Sequence, residues 1–175
     1  MPLQPPVVKD WTARTVPQPS DFNTYIRDAF NFLTHPPTLR VSQNAVQSIP
    51  AGTWTVLTMG NVIEDGYSGW RTAAGNHYVA QAPGWYAITL FGSAAIAATN
   101  MGRVGLQYQI NGNVIGPFEF NQSEAGQNPW SWDAYDETYL EGGDSVWPMI
   151  FHSASGSVNT SLQFPSAFEV TWRSK

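Results

Sequence analysis

The side chains best suited to chemistry form an acidic run, Asp133, Asp136, Glu137, Glu141 and Asp144, with Gly142 and Gly143 inside it. Hard oxygen ligands on a flexible turn are what Ca2+ takes. The D-x-D-x-D-G spacing of a calcium loop is absent, however. On a strand Asp133 and Glu137 share one face and Asp136 turns away, which describes a solvated face ending in a hairpin tip. Two carboxylates roughly 5–10 Å apart across a cleft would serve glycoside cleavage, but no stretch of the chain supplies the cleft. His35, His77 and His152 lie far apart, without metal-ligand spacing. There is no G-x-S-x-G nucleophile motif. Gly102, Gly105 and Gly112 lack the strand–turn–helix setting of a phosphate cradle. Cysteine is absent, which removes disulfides, thiolate zinc sites and thiol catalysis. These residues imply no catalytic group, cofactor or metal.

Rings are the other chemical resource. Tyr67, Trp70, Trp130 and Trp132 fall in or beside expected loops. Exposed rings there would stack on sugars of a bacterial surface, so Tyr67, Trp130 and Trp132 are candidate glycan contacts, while Trp70 reads as core or interface filler.

The elements that must position these groups are mostly strands. Asn76–Ile96 reads as a strand, a tight type II turn at Pro83-Gly84, and a long strand, since proline presets φ and glycine accepts φ > 0. Trp85, Ala87, Thr89 and Phe91 share one face; Tyr86, Ile88, Leu90 and Gly92 share the other. Both faces are largely apolar, so the strand is expected to be covered by a second sheet on one side and by a partner subunit on the other. Further strands are expected at Leu39–Gln47, Thr53–Met59, His77–Gln81, Arg103–Ile110, Val114–Asn121, Trp130–Leu140, Ser145–Ser153 and Leu162–Trp172, with Pro165 marking an edge or bulge. Asn111-Gly112 is the most specific hairpin signal, because a type I′ turn needs φ > 0 at both positions. Short, regularly spaced strands indicate an antiparallel jelly-roll β-sandwich over residues 38–175.

Residues 1–37 differ. Pro2, Pro5, Pro6 and Pro17 make an extended arm in which Trp11 is the large ring. One short α-helix follows, with Ser20 as expected N-cap and Asp21 in the first turn. Phe22, Tyr25, Ile26, Ala29, Phe30 and Leu33 form its apolar stripe, and His35-Pro36-Pro37 ends it. A helix of about 15 residues is marginal alone in water, so it must dock, on its own β domain or on another copy or partner. Trp11, Phe22, Tyr25, Ile26, Phe30 and Leu33 are therefore the candidate assembly and anchoring residues.

The 175-residue chain carries a net charge of −5, with 12% charged and 14% aromatic residues. So few charges beside so many rings favour an oligomer. The acidity and the scattered Lys and Arg argue against nucleic-acid binding. No apolar run approaches the ~20 residues of a membrane span, and Met1–Trp11 has no signal-peptide pattern. A soluble protein is expected.

Two resemblances add to this reading. Ile49-Pro50-Ala51-Gly52-Thr53-Trp54-Thr55-Val56-Leu57, then Trp70, then Tyr78-Val79-Ala80-Gln81-Ala82-Pro83-Gly84-Trp85-Tyr86, with Arg103–Gly112 and Ala167–Trp172, resembles the tumour-necrosis-factor-like jelly roll of complement globular heads. That resemblance implies a ten-stranded-type jelly roll assembling as a homotrimer around its aromatic face. Trp11 followed by Ser20-Asp21-Phe22-Asn23-Thr24-Tyr25-Ile26-Arg27-Asp28 is similar to the leader of structural proteins from tailed phages of actinobacteria, although Pro17-Gln18-Pro19-Ser20 replaces their usual Thr-Ala-Ala entry. It implies a non-enzymatic protein of the virion surface, assembled in the host cytoplasm, either a minor tail or fibre-like protein or a capsid decoration. Its implied partners are itself, other virion proteins and a host-surface glycan. A carbohydrate-binding module is the alternative.

Overall fold

A computed structural model describes residues 5, 7, 9–13, 16–73, 75–95, 102–114, 119–122 and 130–175, with backbone alone at 119–122 and 130. Two antiparallel sheets face one another. The first centres on β7 (Gly84–Ala95). One flank of β7 carries β11 (Trp130–Leu140), in register from Trp130↔Ala94 to Leu140↔Gly84. The other carries β14 (Ala167–Ser174), then β1 (Thr38–Ser42) and β4 (Asn61–Asp65). Beyond β14, β13 (Val158–Thr160) pairs the far end of β7, and β2 (Ser48–Ile49) pairs β13. The second sheet runs β10 (Glu119–Gln122), β8 (Arg103–Ile110), β12 (Ser145–His152), β6 (His77–Val79) and β5 (Trp70–Arg71). There β3 (Thr55–Val56) pairs β12, and β9 (Asn113–Val114) pairs β8. This is a jelly-roll sandwich.

Strand alternation explains the core. Tyr86, Ile88 and Leu90 of β7, Leu39 and Val41 of β1, and Phe168 and Val170 of β14 point inward and are buried. Leu106, Ile110, Val146 and Ile150 meet them from the second sheet. Each such aliphatic side chain contributes about 1.5–3 kcal/mol on burial. Gly92 lets the two sheets approach closely, since a Cβ there would stand 2.7 Å from a methyl of Leu106.

Several sequence expectations change. Pro83-Gly84 is not a hairpin turn: β6 and β7 lie in different sheets, and the dipeptide is the corner between them. Gly84 has φ +151°, well away from the type II value, and is needed because Trp172 Nε1 and Ser174 O would lie 2.3 and 2.4 Å from a Cβ. The turn at Asn111-Gly112 is as expected, with φ of 52° and 80°. β14 starts at Ala167 rather than Leu162, because residues 161–166 form a loop tied to buried Ser93. Ser93 Oγ donates to the carbonyls of Ser161, at 3.2 Å, and Phe164, and Ser93 N donates to Ser166 Oγ. Pro165 sits in that loop, where its missing N–H breaks no ladder. The expected strand Val114–Asn121 lies partly outside the described residues. β2, β4, β5 and β13 have no sequence signal of their own. They are short, and β4 is exposed along most of its length, so no alternation marks it.

The helix is one run, α-helical over Pro19–Phe22, π-helical over Asn23–Arg27 and α-helical again over Asp28–Thr34. Its N-cap is Gln18, not Ser20. Pro19 suits the first helical position, having preset φ and no N–H to satisfy. The Asp21 carboxylate accepts from Gln18 N at 2.8 Å.

Candidate assembly surface

Two surfaces leave large rings uncovered. The first is the outward face of the β7 sheet. Trp85 on β7 is paired in register with Tyr139 on β11, and their rings meet edge to face, centroids 6.0 Å apart. Tyr135 stands on the same face of β11. Trp85, Tyr135 and Tyr139 are 46%, 55% and 42% exposed. The Tyr135 hydroxyl donates to Glu137 at 2.6 Å, and that carboxylate holds the phenol above its ordinary pKa. Further across the sheet the face turns polar, with Arg40 paired to Glu169 at 2.9 Å. The β7 face bearing Trp85 is thus only partly buried in the single chain, while the Tyr86 face is the sandwich core.

The second surface is the helix. Phe32, absent from the expected stripe, is the ring that docks, standing edge-on to Trp172 with centroids 4.9 Å apart. Two hydrogen bonds pin the segment after it: Trp172 N to the Pro37 carbonyl, and the Tyr67 hydroxyl to the His35 carbonyl at 2.7 Å. Of the expected residues, Phe22, Ile26, Phe30 and Leu33 are 49–66% exposed, and Trp11 is exposed beside Phe22. Tyr25 is half-buried under the arm. Lys9 fastens that arm. Its ammonium pairs with Asp21 and lies 4.8 and 4.7 Å from the ring centroids of Trp11 and Tyr25. The Asp21 carboxyl is held below its ordinary pKa, first by the hydrogen bond from Lys9, then by Gln18 N. A cation between two rings and a carboxylate is a strong local clasp.

Of the candidate glycan residues, Tyr67 and Trp132 do not form a common stacking surface. Trp132 points into the sandwich and is 5% exposed, so it offers no stacking face. It shares the inward parity of Ala134 and Leu140 on β11. The Tyr67 hydroxyl holds the helix exit while its ring is half-buried, and the Trp130 side chain lies outside the described residues. Trp70 is buried against Phe168.

The other candidate groups serve the fold. His77 Nδ1 donates to the Gly75 carbonyl at 2.7 Å while its ring stacks on Trp147. His152 donates from Nε2 to the Ile49 carbonyl at 2.8 Å and accepts at Nδ1 from Ala154 N. Asp136 accepts from the buried Tyr108 hydroxyl, and burial, then that bond, push the phenol's pKa up. Asp144 accepts from Asn111 Nδ2 at 2.7 Å and from Glu141 N at 2.8 Å, organising the hairpin tip. Among the described residues no three His, Asp or Glu side chains gather as a metal site. No helix among them is long and apolar enough to cross a membrane.

Sequence reasoning passed over Tyr135, Tyr139 and Lys9. The parity of Asp133, Tyr135, Glu137 and Tyr139 was a usable signal for the first two. Lys9 has Trp11 two residues along, but its other partners, Asp21 and Tyr25, lie beyond the reach of any local pattern.

Comparison with known proteins defines the fold class. No family model matches the sequence, and no curated protein matches it. Solved structures do. The globular domain of zebrafish complement 1qA protein aligns with a TM-score of 0.56 at 15% identity, covering 79% of this chain and 99% of that one. Eiger TNF from S. frugiperda aligns with a TM-score of 0.56 at 11% identity, covering 79% of this chain and 92% of that one. The chain is therefore similar in fold to TNF-like and complement-type jelly rolls, and at these identities the similarity concerns the fold alone.

Proposed function

We propose that this chain is a non-enzymatic structural protein of a tailed-phage virion, working as a homotrimer. The jelly roll trimerises and is displayed on the particle surface, and residues 1–37 attach it. The observation that carries the trimer is the outward face with Trp85, Tyr135 and Tyr139. Half-exposed rings grouped on one face of two neighbouring strands are what an interface core looks like before its partner arrives. Complement-type and TNF-type jelly rolls are similar folds, and the family resemblance read from the sequence implies three copies. The phage setting is supported by the Trp11 and Ser20–Asp28 leader, and by a helix whose apolar row is not used on its own domain. A role on tail or capsid is common ground for both kinds of virion protein.

Native mass measurement tests the oligomer: three copies are expected, and a stable monomer refutes it. Imaging of the intact particle tests the setting. Density for a jelly roll on head or tail is expected, and its absence from purified virions refutes the virion role.

A further inference from the structure

Asn111-Gly112 is the one Asn-Gly pair in the chain. Such a pair is chemically weak. The backbone nitrogen after the asparagine can attack the side-chain amide carbon, and glycine, lacking a Cβ, leaves that nitrogen unhindered. Both residues are exposed at the tip of the β8–β9 hairpin, and the space about Gly112 is open, so water reaches them. The asparagine side chain is nevertheless held at both polar atoms. Ser145 N donates to its Oδ1 at 2.9 Å, and its Nδ2 donates to Asp144 Oδ1 at 2.7 Å. Asp144 is itself fixed, by Glu141 N on Oδ2 and by Ala80 N on its carbonyl, each at 2.8 Å. Ring closure needs the amide to rotate toward Gly112 N, which these bonds oppose. The donor on Oδ1 polarises the amide carbon, but the addition step also builds negative charge on the amide, beside the Asp144 carboxylate.

We propose that Asn111 is a deamidation site which Asp144 keeps closed, and that its conversion unlatches the two hairpin tips irreversibly. In the reaction Gly112 N gives its proton to solvent hydroxide and bonds to Asn111 Cγ. The Cγ–Nδ2 bond breaks, and the nitrogen leaves as ammonia with a proton from water. Water then opens the cyclic imide at one of its two carbonyls, giving aspartate or isoaspartate. Nothing is oxidised or reduced. The product cannot restore the latch. A carboxylate at position 111 has no N–H to give Asp144, and it sets two negative charges together. Isoaspartate also adds a methylene to the main chain of a turn whose residues stand at φ 52° and 80°. The loss reaches beyond the turn, because Asp144 O accepts from Ala80 N and Gly143 N donates to Ala80 O, just ahead of the Pro83-Gly84 corner.

Full-length protein held at mildly alkaline pH, then digested, reads the conversion through the mass of the peptide carrying residue 111 and through isoaspartate methylation. Conversion is expected to be about tenfold or more slower in the folded chain than in guanidinium, the factor that a hydrogen bond to a charged group is worth. Asp144→Ala is expected to close most of that gap while Asn44 and Asn159 keep the rates they have in the unmodified protein. A folded chain that converts as fast as the unfolded one overturns the proposal. So does a folded Asp144→Ala that converts no faster than the unmodified protein, or one that speeds all three asparagines equally. Should Asp144→Ala misfold, Asp144→Ser, which offers one hydroxyl to two donors, replaces it. Asn111→Asp, the direct product, is expected to lose about tenfold in amide protection at residues 80 and 143. Unchanged protection there overturns the unlatching.

Discussion

Phe32 meets Trp172 edge to face at 83°, and the same indole donates from Nε1 to the Pro83 carbonyl at 3.1 Å. One ring thereby joins the helix, the last strand and the corner between the two sheets. Phe32→Ala is expected to cost about 3 kcal/mol, the lower end for removing a packed phenyl group. The loss should fall on the helix first: amide protection over 19–34 should collapse while the β core keeps its own. Equal loss in both regions would show that the helix and sandwich unfold as one unit.

The Gly84 corner gives a sharper contrast. At φ +151° a Cβ there meets Trp172 and Ser174 backbone, whereas at Gly112 (φ +80°) it meets nothing within 4 Å. Gly84→Ala is expected to destabilise by about 3 kcal/mol or more, combining backbone strain with a clash. Gly112→Ala should cost only about 1 kcal/mol, from the backbone alone. Denaturant unfolding of the two variants measures the difference.

Trp85 and Tyr139 form an aromatic pair at one end of the outward face. Trp85→Ser is expected to weaken association of the proposed trimer by about 2 kcal/mol or more, roughly thirtyfold, as buried aromatic anchors do. Stability of the monomer should change by under about 1 kcal/mol, because Trp85 is half exposed. Concentration-dependent sedimentation reads the first quantity and dilute thermal unfolding the second. An unchanged association constant would remove this face from the interface.

The arm clasp predicts a pH dependence. The Asp21 carboxyl has a lowered pKa in the folded chain, so its contribution is present in full above the ordinary value of 3.8 and disappears as pH falls through the lower folded value. Proteolytic sensitivity of residues 9–18, assayed with an acid-tolerant protease, should therefore rise below about pH 4. Asp21→Asn should be sensitive at neutral pH already and show little further change. Lys9→Met should behave the same way, because it removes the same ion pair.

Much of the sandwich was legible from strand alternation. Arg103–Ile110 and Trp130–Leu140 appear with the expected limits, and Asn111-Gly112 turns as its φ requirements demand. Those signals are local, carried by residues within one strand or turn. The site residues depend on longer range. Trp132 and Tyr135 differ by three positions and look equally aromatic, yet one is core and the other surface, because side-chain direction on β11 depends on which face β7 turns toward the second sheet. Phe32 was missed for a similar reason: its place on the helix matters only once Trp172 stands opposite.

By itself, then, the order of residues determined an all-antiparallel sandwich, a proline-rich arm, a helix stopped before Pro36 and the lack of any nucleophile or metal motif, since propensity, parity and motif spacing act over a few residues. Tertiary structure decided which parity of β7 is core, that Pro83-Gly84 links two sheets, that Trp132 is hidden, and that Phe22, Ile26, Phe30, Trp85, Tyr135 and Tyr139 remain open. The physical reason is that burial is a property of pairs of elements, and the deciding partners lie far along the chain, as Trp172 does for Pro83-Gly84 and β7 does for Trp132.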